Sequence, residues 1–552
     1  MIPAETTVLI PAAGRVPEGL LALSNISCSA MIPVGGRPVI HWTISYLRSL
    51  GFRRFLIAVS RRGMFVEDFV ACAFGGECDV QFIVPTSGRG VGGTLVDLAS
   101  STSGATLVVL GDTHFTFSPD KVEDNSPFVL THKVSESYRW CIAEASPSGH
   151  LSALHDKVSG LAGELEALIG VYYFPDHAKL ITAASANLAA AIAAERNAEL
   201  AGVLRLIHAE SPIRVESAAM WIDSGNPDMQ VRAHQTLIQA RAFNQLTIDE
   251  IRGTITKRSV NVEKFIDEMN FLRLLPPDLA ILFPRLVRYS ADWADAWMEM
   301  EYYGYPSLSE VFVYENLDPG IWERVFAHLA VIMVDAFGKH TRPLPDGTLH
   351  EMYVAKTQRR LATMRCSPAL AALVQHPGPI EVNGRRLSNF SQMWPRIETA
   401  VSHMQSGSRG TAIHGDLCLS NILYDLRSRI CKLIDPRGSF GSVGMYGDPR
   451  YDVAKLWHSV HGLYDFIVND LFVVSSSRAS ATLTIRATPA QRGIEDRFTR
   501  VFFAGRFDRN EVQLVTALLF ASMPALHDDK PNRQLAMYLR ALQLLADWEE
   551  RS

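Results

Sequence analysis

The sequence has few cysteines, no long apolar run and no excess of positive charge. Its 7 cysteines are scattered over 552 residues without a Cys-x-x-Cys pair, so neither a disulfide framework nor a zinc site is expected. No stretch approaches the roughly 18 uninterrupted apolar residues that a membrane helix needs. The formal net charge of -5 does not suit a protein that neutralises nucleic-acid phosphates. These absences argue against a disulfide scaffold, a membrane protein and a nucleic-acid binder.

The chain also lacks the pattern of a secretory signal, because acidic Glu5 stands where such a signal has positive charge and the following apolar run is short. Hydrophobic residues make up 47% and charged residues 20% of the chain, which is typical of globular proteins. A chain of 552 residues exceeds what one hydrophobic core usually organises. We therefore expect a cytoplasmic protein of at least two domains with small-molecule partners, and its oligomeric state, homo-oligomer included, stays open.

The first part of the chain alternates strand-like and helix-like segments. The strand-like TTVLIPAAG is followed by the helix-like VIHWTISYLRSLG and by the β-rich FRRFLIAVS, and the pattern continues through VQFIVP and ATLVVLGD. The alanine-rich LITAASANLAAAIAAERNAELAGVLRLIH carries apolar residues at helical spacing. This alternation predicts an α/β domain with helices packed on a parallel sheet.

The pattern changes near residue 240. A strand pair around RGTITKRS comes first, then the helix-like VEKFIDEMNFLRLLP, and then long helical patterns. We therefore predict one domain over 1–240 and a second over 241–552.

The strongest chemical motif is HGDLCLSNILYD at 414–425, followed by CKLIDPRG at 431–438. Phosphoryl transfer needs a carboxylate that orients the acceptor hydroxyl, and metal ions that neutralise phosphate charge. Asp416 can accept the hydroxyl proton, while Asn421 and Asp435 can hold metal. His414 is expected to brace the loop.

These motifs resemble the aminoglycoside phosphotransferase and choline kinase superfamily. The resemblance implies a protein-kinase-like, two-lobed α+β domain, with an N-lobe at about 245–305 and a C-lobe at about 306–552. It further implies that Lys257 contacts the ATP phosphates and that Glu268 is its ion-pair partner. Asp452 then corresponds to a structural aspartate behind the catalytic loop, and MEMEYYGYPSLSEVF (298–312) to the hinge that holds adenine.

The N-terminal half begins with LIPAAGR, in which the backbone of Ala12, Ala13 and Gly14 can approach phosphates beside Arg15. The phrases MIPVGGRPVIHWTISYL, VVLGDTHF, LHDKVSG, IGVYYF and WIDSGNP follow in that order. Together they resemble the sugar nucleotidyltransferase family, which joins a nucleoside triphosphate to a sugar 1-phosphate and releases pyrophosphate. The resemblance implies a Rossmann-like (GT-A-like) fold over about 6–235.

The family's chemistry requires a divalent ion, here Mg²⁺, held by carboxylates from different strands. Asp112 and Asp223 match its two metal aspartates, and Lys157 matches the lysine that contacts the sugar phosphate. Gly92 and Gly93, in RGVGGTL, match the segment that reads the base. The choice among CTP, UTP, GTP and ATP stays open.

Two departures from the family pattern stand at phosphate-binding positions. The family has a second glycine before an arginine where this chain continues from Gly14 to Arg15 and Val16. It also has a Pro-Lys pair where Cys28 and Ser29 stand here, which removes a cation from a site with several phosphate charges.

Three hypotheses follow. In the first, the chain is a bifunctional enzyme that phosphorylates a sugar at its anomeric hydroxyl with ATP and then makes a nucleotide sugar for surface polysaccharide or cell-wall precursors. In the second, the acceptor is a choline-like amino alcohol or a polyol and the nucleotide is CTP. The choline version predicts an aromatic cage, with candidates Trp293, Trp297, Tyr302, Tyr303, Trp394 and Trp457. In the third, an active kinase carries a non-catalytic, nucleotide-binding regulatory domain.

Overall fold

The computed structural model describes residues 5–14, 28–60, 64–118, 126–224, 244–249, 251–315, 317–406, 409–477 and 480–552. The chain divides into two compact units, Met1–Leu237 and Ile238–Ser552. The predicted domain boundary at residue 240 and the candidate Arg15 lie outside the described residues.

The N-terminal unit contains a large mixed sheet with helices packed on it. Its described strands are β1 Thr7–Pro11, β2 Pro33–Val34, β3 Arg37–Pro38, β4 Arg54–Ala58, β5 Asp79–Ile83, β6 Thr106–Val109, β7 Thr113–Thr116, β8 Phe128–Val134, β9 Cys141–Ala145, β10 Leu151–Asp156, β11 Leu165–Phe174, β12 Arg214–Ser217 and β13 Met220–Asp223. Its described helices are α1 Val39–Ser49, α2 Met64–Phe74, α3 Val91–Ser100, α4 His177–Ala193 and α5 Leu200–Glu210. The alanine-rich segment is therefore helical, as predicted.

The main sheet is parallel on one side and mixed on the other, where β12 pairs parallel with β8. Strands β6, β1, β4 and β5 are parallel neighbours, which confirms the predicted α/β alternation. Strand β11 pairs antiparallel with β6, β8 and β9, so the predicted parallel sheet is parallel only in part. Strands β9 and β10 also pair antiparallel, because the short turn 146–150 joins them and parallel pairing needs a long crossover.

The C-terminal unit begins with a four-stranded antiparallel sheet in the order β14-β15-β17-β16. These strands are β14 Asn244–Asp249, β15 Thr254–Ser259, β16 Leu286–Ser290 and β17 Trp297–Glu301, and helix α6 Val262–Arg273 packs on them. Phe265 and Met269 of α6 form one core with Met298 and Met300 of β17. The predicted strand pair and helix are therefore present.

The rest of the C-terminal unit is mainly helical, with short strands between the helices. The helices are α7 Pro277–Ala280, α8 Leu308–Tyr314, α9 Pro319–Val331, α10 Lys356–Thr363, α11 Pro368–Val374, α12 Phe390–Gln405, α13 Pro449–Val460, α14 Tyr464–Val468, α15 Pro489–Phe502, α16 Arg509–Ser522 and α17 Pro531–Glu549. The strands are β18 Thr341–Pro343, β19 Ile380–Val382, β20 Arg385–Leu387, β21 Arg409–Ala412, β22 Ile422–Asp425, β23 Ile430–Leu433, β24 Ser439–Phe440, β25 Ser442–Val443, β26 Tyr446–Gly447, β27 Phe472–Ser477 and β28 Ser480–Ile485. Across the described ranges of both units, no helix combines the length and apolar character needed to cross a membrane.

Candidate active sites

In the N-terminal unit, the pairing of β7 with β13 brings the two predicted metal aspartates together. Asp112 directly precedes β7, and Asp223, at the end of β13, is paired with Thr113 at its start. The backbone N–H and the hydroxyl of Ser224 both donate to the Asp112 carbonyl at 3.0 Å. Strands distant in sequence thus supply neighbouring carboxylates, as the predicted divalent-ion site requires.

Both carboxylates line a cavity of about 230 Å³. Lys157, the predicted sugar-phosphate lysine, lines it too, together with Arg139. The Lys157 backbone is left-handed (φ 54°), and its N–H donates to the Trp140 carbonyl at 3.0 Å, so the turn after β10 fixes this exposed lysine at the rim. The predicted residues Asp112, Asp223 and Lys157 therefore line one cavity. The side chain of Arg139 adds a second positively charged group to the lining of that cavity.

Asp112 is hydrogen-bonded by Ser29, one of the two residues that depart from the family pattern. Burial raises the pKa of the Asp112 carboxyl, and the hydrogen bond from the Ser29 hydroxyl acts in the opposite direction. The neighbouring Cys28 donates its thiol to the Ala12 carbonyl at 2.8 Å, and burial raises its pKa to about 11. Ser29, which stands where the family has lysine, thus donates a hydrogen bond from an uncharged hydroxyl to Asp112, the candidate metal ligand.

The predicted nucleotide-loop residues Ala12, Ala13, Gly14, Gly92 and Gly93 are not among the described residues that line this cavity. Ala12 continues β1 by donating its N–H to the Ala58 carbonyl at 2.9 Å. A Cβ on Gly92 would lie 2.4 Å from the Ala198 carbonyl oxygen, and one on Gly93 would lie 1.7 Å from the Gly88 carbonyl oxygen. Close backbone packing therefore requires both glycines at the start of α3, and their contact with a base stays a prediction.

In the C-terminal unit, Lys257 contacts Glu268, its predicted ion-pair partner, and also Asp435, which was predicted only as a metal ligand. It faces inward from β15, where its Nζ donates to Glu268 Oε1 and Oε2 at 2.7 and 2.9 Å and to Asp435 Oδ1 at 2.7 Å. Burial opposes the charged ammonium, but the two carboxylates outweigh it and raise the pKa of Lys257. Burial raises the pKa of Glu268 to about 7, the charge of Lys257 acts in the opposite direction, and the charge of Asp435 adds to the rise. One ammonium thus serves two acidic side chains at this point.

A β-hairpin brings Asn421 beside Asp435. Asn421 directly precedes β22 and Asp435 follows β23 closely, and the antiparallel register pairs Ile422 with Leu433. The Ile434 N–H donates to the Asn421 carbonyl at 3.0 Å, and the Asn421 amide donates to the Asp416 carbonyl at 2.9 Å. The hairpin thus unites the three residues predicted for phosphoryl transfer.

His414 braces this arrangement, as predicted. Its Nδ1 accepts the Asp416 N–H at 3.2 Å and its Nε2 lies 2.9 Å from the Ile434 carbonyl oxygen. Burial lowers the pKa of His414 to about 4, so the ring is neutral and donates through Nε2. The Asp452 carboxylate accepts the N–H groups of His414 and Gly415 at 2.6 and 2.9 Å from behind the loop. Asp452 thus holds the loop and lies behind Asp416.

Asp416 is held by a residue that the motif does not contain. Lys455 Nζ lies 2.8 Å from Asp416 Oδ1. Burial alone would raise the pKa of Asp416, but the positive charge of Lys455, with a smaller contribution from Arg437, lowers it to about 2. Asp416 is therefore a carboxylate at neutral pH, aligned by Lys455.

Sequence reasoning missed Lys455 and Arg437. Lys455 lies three residues after Asp452 on α13, so it belongs to the GDPRYDVAKL segment that had been assigned through Asp452 alone. Arg437 follows Asp435 by two residues, and its N–H donates to the His414 carbonyl at 2.9 Å. A search for cations within a helical turn of the recognised acids would have found both.

Three of the six aromatic candidates for a choline cage lie in unrelated surroundings, whereas Tyr302 and Tyr303 line one cavity. Trp457 is fully buried in the helical core, where its ring lies 5.1 Å from that of Phe498. Trp293 is 64% exposed next to β17. The side chain of Trp394 is on α12, where it packs against Phe390. These positions give no support to a cage around a quaternary ammonium.

The candidate metal sites contain only oxygen ligands. Within the described ranges, no three His, Cys, Asp or Glu side chains form a metal-binding group. Each site instead combines two protein groups, Asp112 with Asp223 and Asn421 with Asp435. This donor set fits Mg²⁺, which prefers oxygen and usually keeps few carboxylates alongside water and substrate phosphates.

No protein-family model and no curated protein sequence matches the chain. Solved structures of sugar nucleotidyltransferases are similar to its N-terminal part. HddC from Yersinia pseudotuberculosis is 17% identical, and the match covers 42% of this chain and 99% of HddC with a TM-score of 0.34. A UTP-bound UGPase from Acinetobacter baumannii is 12% identical over 43% of this chain and 94% of that protein, with a TM-score of 0.36. A UDP-glucose pyrophosphorylase complexed with UDP-glucose is 14% identical over 43% and 99%, also with a TM-score of 0.36.

Proposed function

We propose that the chain is a bifunctional transferase. Its C-terminal unit phosphorylates a sugar at the anomeric hydroxyl with ATP, and its N-terminal unit joins the resulting sugar phosphate to a nucleoside triphosphate with release of pyrophosphate. The observation that carries the kinase half is the ammonium of Lys257, which is bonded to both Glu268 and Asp435. The other half rests on Asp112, Asp223 and Lys157 in one cavity.

In the kinase reaction, the acceptor hydroxyl oxygen attacks the γ-phosphorus of ATP. A new O–P bond forms, the bond from the γ-phosphorus to the β,γ-bridging oxygen breaks, and ADP leaves. Asp416 orients the hydroxyl and receives its proton as bond formation advances. Lys455 keeps Asp416 ionised beforehand, and Lys257 neutralises charge on the ATP phosphates.

Asn421 and Asp435 would hold Mg²⁺, which supplies neutralisation of the nucleotide's phosphate charge when bound. Glu268 positions Lys257 from α6. A Cβ on Gly438 would lie 2.2 Å from the Asp267 carbonyl oxygen, so glycine is required where the loop after Asp435 approaches α6. This close approach keeps Asp435 within reach of the Lys257–Glu268 pair.

In the second reaction, a phosphate oxygen of the sugar 1-phosphate attacks the α-phosphorus of the triphosphate, and the bond to the β-phosphate breaks so that pyrophosphate leaves. Asp112 and Asp223 would hold Mg²⁺ at this site, where it supplies charge neutralisation between the two reacting phosphates. Lys157 and Arg139 bind the anionic sugar phosphate from the rim of the cavity. The product is an activated sugar for surface polysaccharide or cell-wall precursors.

Two assays with the full-length protein test this proposal. In the first, ATP, Mg²⁺ and a panel of neutral sugars, sugar acids, sugar phosphates and amino alcohols are screened for ADP release, and we expect release with a sugar or a sugar derivative. In the second, the phosphorylated product is supplied with CTP, UTP, GTP or ATP, and we expect pyrophosphate with at least one of them. Release of ADP with an amino alcohol alone would instead support the choline-like alternative.

The neutral Ser29 beside Asp112 favours a second candidate function for the N-terminal unit, in which it binds nucleotide without catalysis. Failure of all four triphosphates to yield pyrophosphate, together with saturable binding of one of them, would support this regulatory role. Pyrophosphate release with any triphosphate would rule it out.

A further inference from the structure

Among the residues that the structure describes, three basic side chains near Asp416 form no ion pair with a carboxylate. Lys356 begins α10 directly after the π-helical segment His350–Ala355, and Arg360 follows it by one helical turn. Arg437 lies in the loop after Asp435. Within the described part of the chain, none of the three forms an ion pair with an acidic side chain, whereas the adjacent Lys455 pairs with Asp416.

Neutral groups hold these cations in place. The guanidinium of Arg437 donates to the Tyr451 hydroxyl at 3.0 Å, and the ammonium of Lys356 lies 5.9 Å from the centre of the same ring. The guanidinium of Arg360 donates to the Ser522 hydroxyl at 3.3 Å. Tyr451 thus gathers two cations from separate segments, and neither contact neutralises their charge.

The cations also repel one another. Like charges one helical turn apart are destabilising, as for Lys356 and Arg360. Burial, and then the charges of Arg437, Arg360 and Lys455, lower the pKa of Lys356 to about 6, while Asp416 acts in the opposite direction, so an anion is needed to hold Lys356 in its charged form at neutral pH. Burial and then Arg437 also lower the pKa of Arg360. A bound anion would relieve this repulsion. The π-helical segment His350–Ala355 next to Lys356 is a second indication, because π-helical turns are rare and often lie at functional sites.

We infer that the phosphate acceptor is itself anionic, and that Lys356, Arg360 and Arg437 bind its carboxylate or phosphate group while its hydroxyl meets Asp416. The inference rests on the proposed kinase function and narrows its substrate to acidic or already phosphorylated hydroxy compounds, such as sugar acids or sugar phosphates. Guanidinium groups suit this role because their planar donors match carboxylate and phosphate oxygens in pairs.

Charge fractionation of possible acceptors tests the inference. A metabolite extract is separated by anion exchange into an unbound fraction, which holds neutral and cationic compounds, and a bound anionic fraction. Each is incubated with the full-length protein, Mg²⁺ and ATP labelled at the γ-phosphate, and label in organic phosphate is measured. We expect transfer with the anionic fraction only. Transfer with the unbound fraction would overturn the inference and leave the kinase intact, whereas no transfer with either would overturn the kinase proposal and the inference with it.

Pretreatment of the anionic fraction with phosphatase distinguishes the two anions. Loss of acceptor activity assigns the cations to a phosphate group, and retention assigns them to a carboxylate. Both outcomes support an anionic acceptor.

Variants of α10 test the residues themselves. Lys356→Met and Arg360→Gln should each raise the apparent KM for the active fraction roughly tenfold to hundredfold and leave the KM for ATP within about twofold. Lys356→Arg should retain much of the affinity, which separates loss of charge from loss of folding. Arg359→Gln is the matched control, because this neighbouring arginine is exposed and pairs with Glu351. A parallel rise in the KM for ATP would overturn the inference by assigning the cations to the nucleotide.

Discussion

Lys257 and Asp435 are joined by an Nζ–Oδ1 contact of 2.7 Å although 178 residues separate them in the chain. Lys257 comes from the middle of β15, and Asp435 follows the hairpin of β22 and β23. Glu268 completes the group from α6. The ammonium of Lys257 thus links the sheet, helix α6 and the hairpin. Replacing Lys257 therefore tests both the stability of the fold and the binding of the nucleotide.

Replacement of that lysine is the first prediction. Lys257→Met leaves Glu268 and Asp435 facing each other without a cation, so we expect the free energy of unfolding to fall by about 3 kcal/mol and the KM for ATP to rise. Chemical denaturation and initial-rate kinetics measure the two effects. Arg258→Met is the control, because Arg258 is exposed and its pair with Asp295 lies at the surface, where loss costs about 1 kcal/mol or less. Equal destabilisation by both substitutions would contradict the assigned role.

The second prediction concerns proton acceptance. Asp416→Asn keeps the shape of the side chain but removes its negative charge, so we expect the kcat for ADP release to fall by about 10²- to 10⁴-fold. The KM for ATP should change little, because Lys257 and Asp435 remain. Asp528→Asn, at an exposed position, should leave kcat unaltered. An Asp416→Asn enzyme with full turnover would remove this aspartate from the mechanism.

The third prediction separates the two activities. Asp112→Asn removes one of the two paired carboxylates in the N-terminal cavity, so pyrophosphate release should fall by at least about a hundredfold. ADP release should persist, because the kinase residues lie in the other unit. Asp79→Asn, at the exposed start of β5, is the control. Loss of both activities in Asp112→Asn would indicate general misfolding, which circular dichroism would reveal.

The fourth prediction is a pH dependence of stability. Burial holds the pKa of His414 at about 4, below its unfolded value of about 6.5. The unfolded chain therefore binds a proton more readily, and the stability of the fold falls as pH drops from about 6.5 to 4. The full loss from this residue is about 3 kcal/mol.

His414→Gln cannot take up that proton, so its stability should decline less over the same pH range even if it is lower at pH 7. Denaturation curves at several pH values between 7 and 4 measure the difference in slope for the two proteins. Other histidines, including His458 with a pKa lowered by burial to about 3, contribute equally to the pH dependence of both proteins, so their contributions cancel in this comparison. Identical slopes would mean that the pKa of His414 is the same in the folded and the unfolded chain.

The sequence alone determined what depends on neighbours in the chain. Strand and helix alternate over 6–60 because hydrophobic periodicity is local, and the alanine-rich segment is helical for the same reason. Asp416 and Asn421 could be paired from HGDLCLSN because one short loop holds both. Ser29, too, could be recognised as a departure at a phosphate position, although its hydrogen bond to Asp112 could not.

The tertiary structure alone decided which distant residues meet. It turned part of the main sheet antiparallel by pairing β11 with β6 and β8, which lie far from it in the chain. It paired Lys455 with Asp416 and gathered Lys356 and Arg437 around Tyr451. Such contacts join segments with no shared periodicity or spacing, and their energies depend on burial and on the net charge at one point, which exist only once the chain has packed.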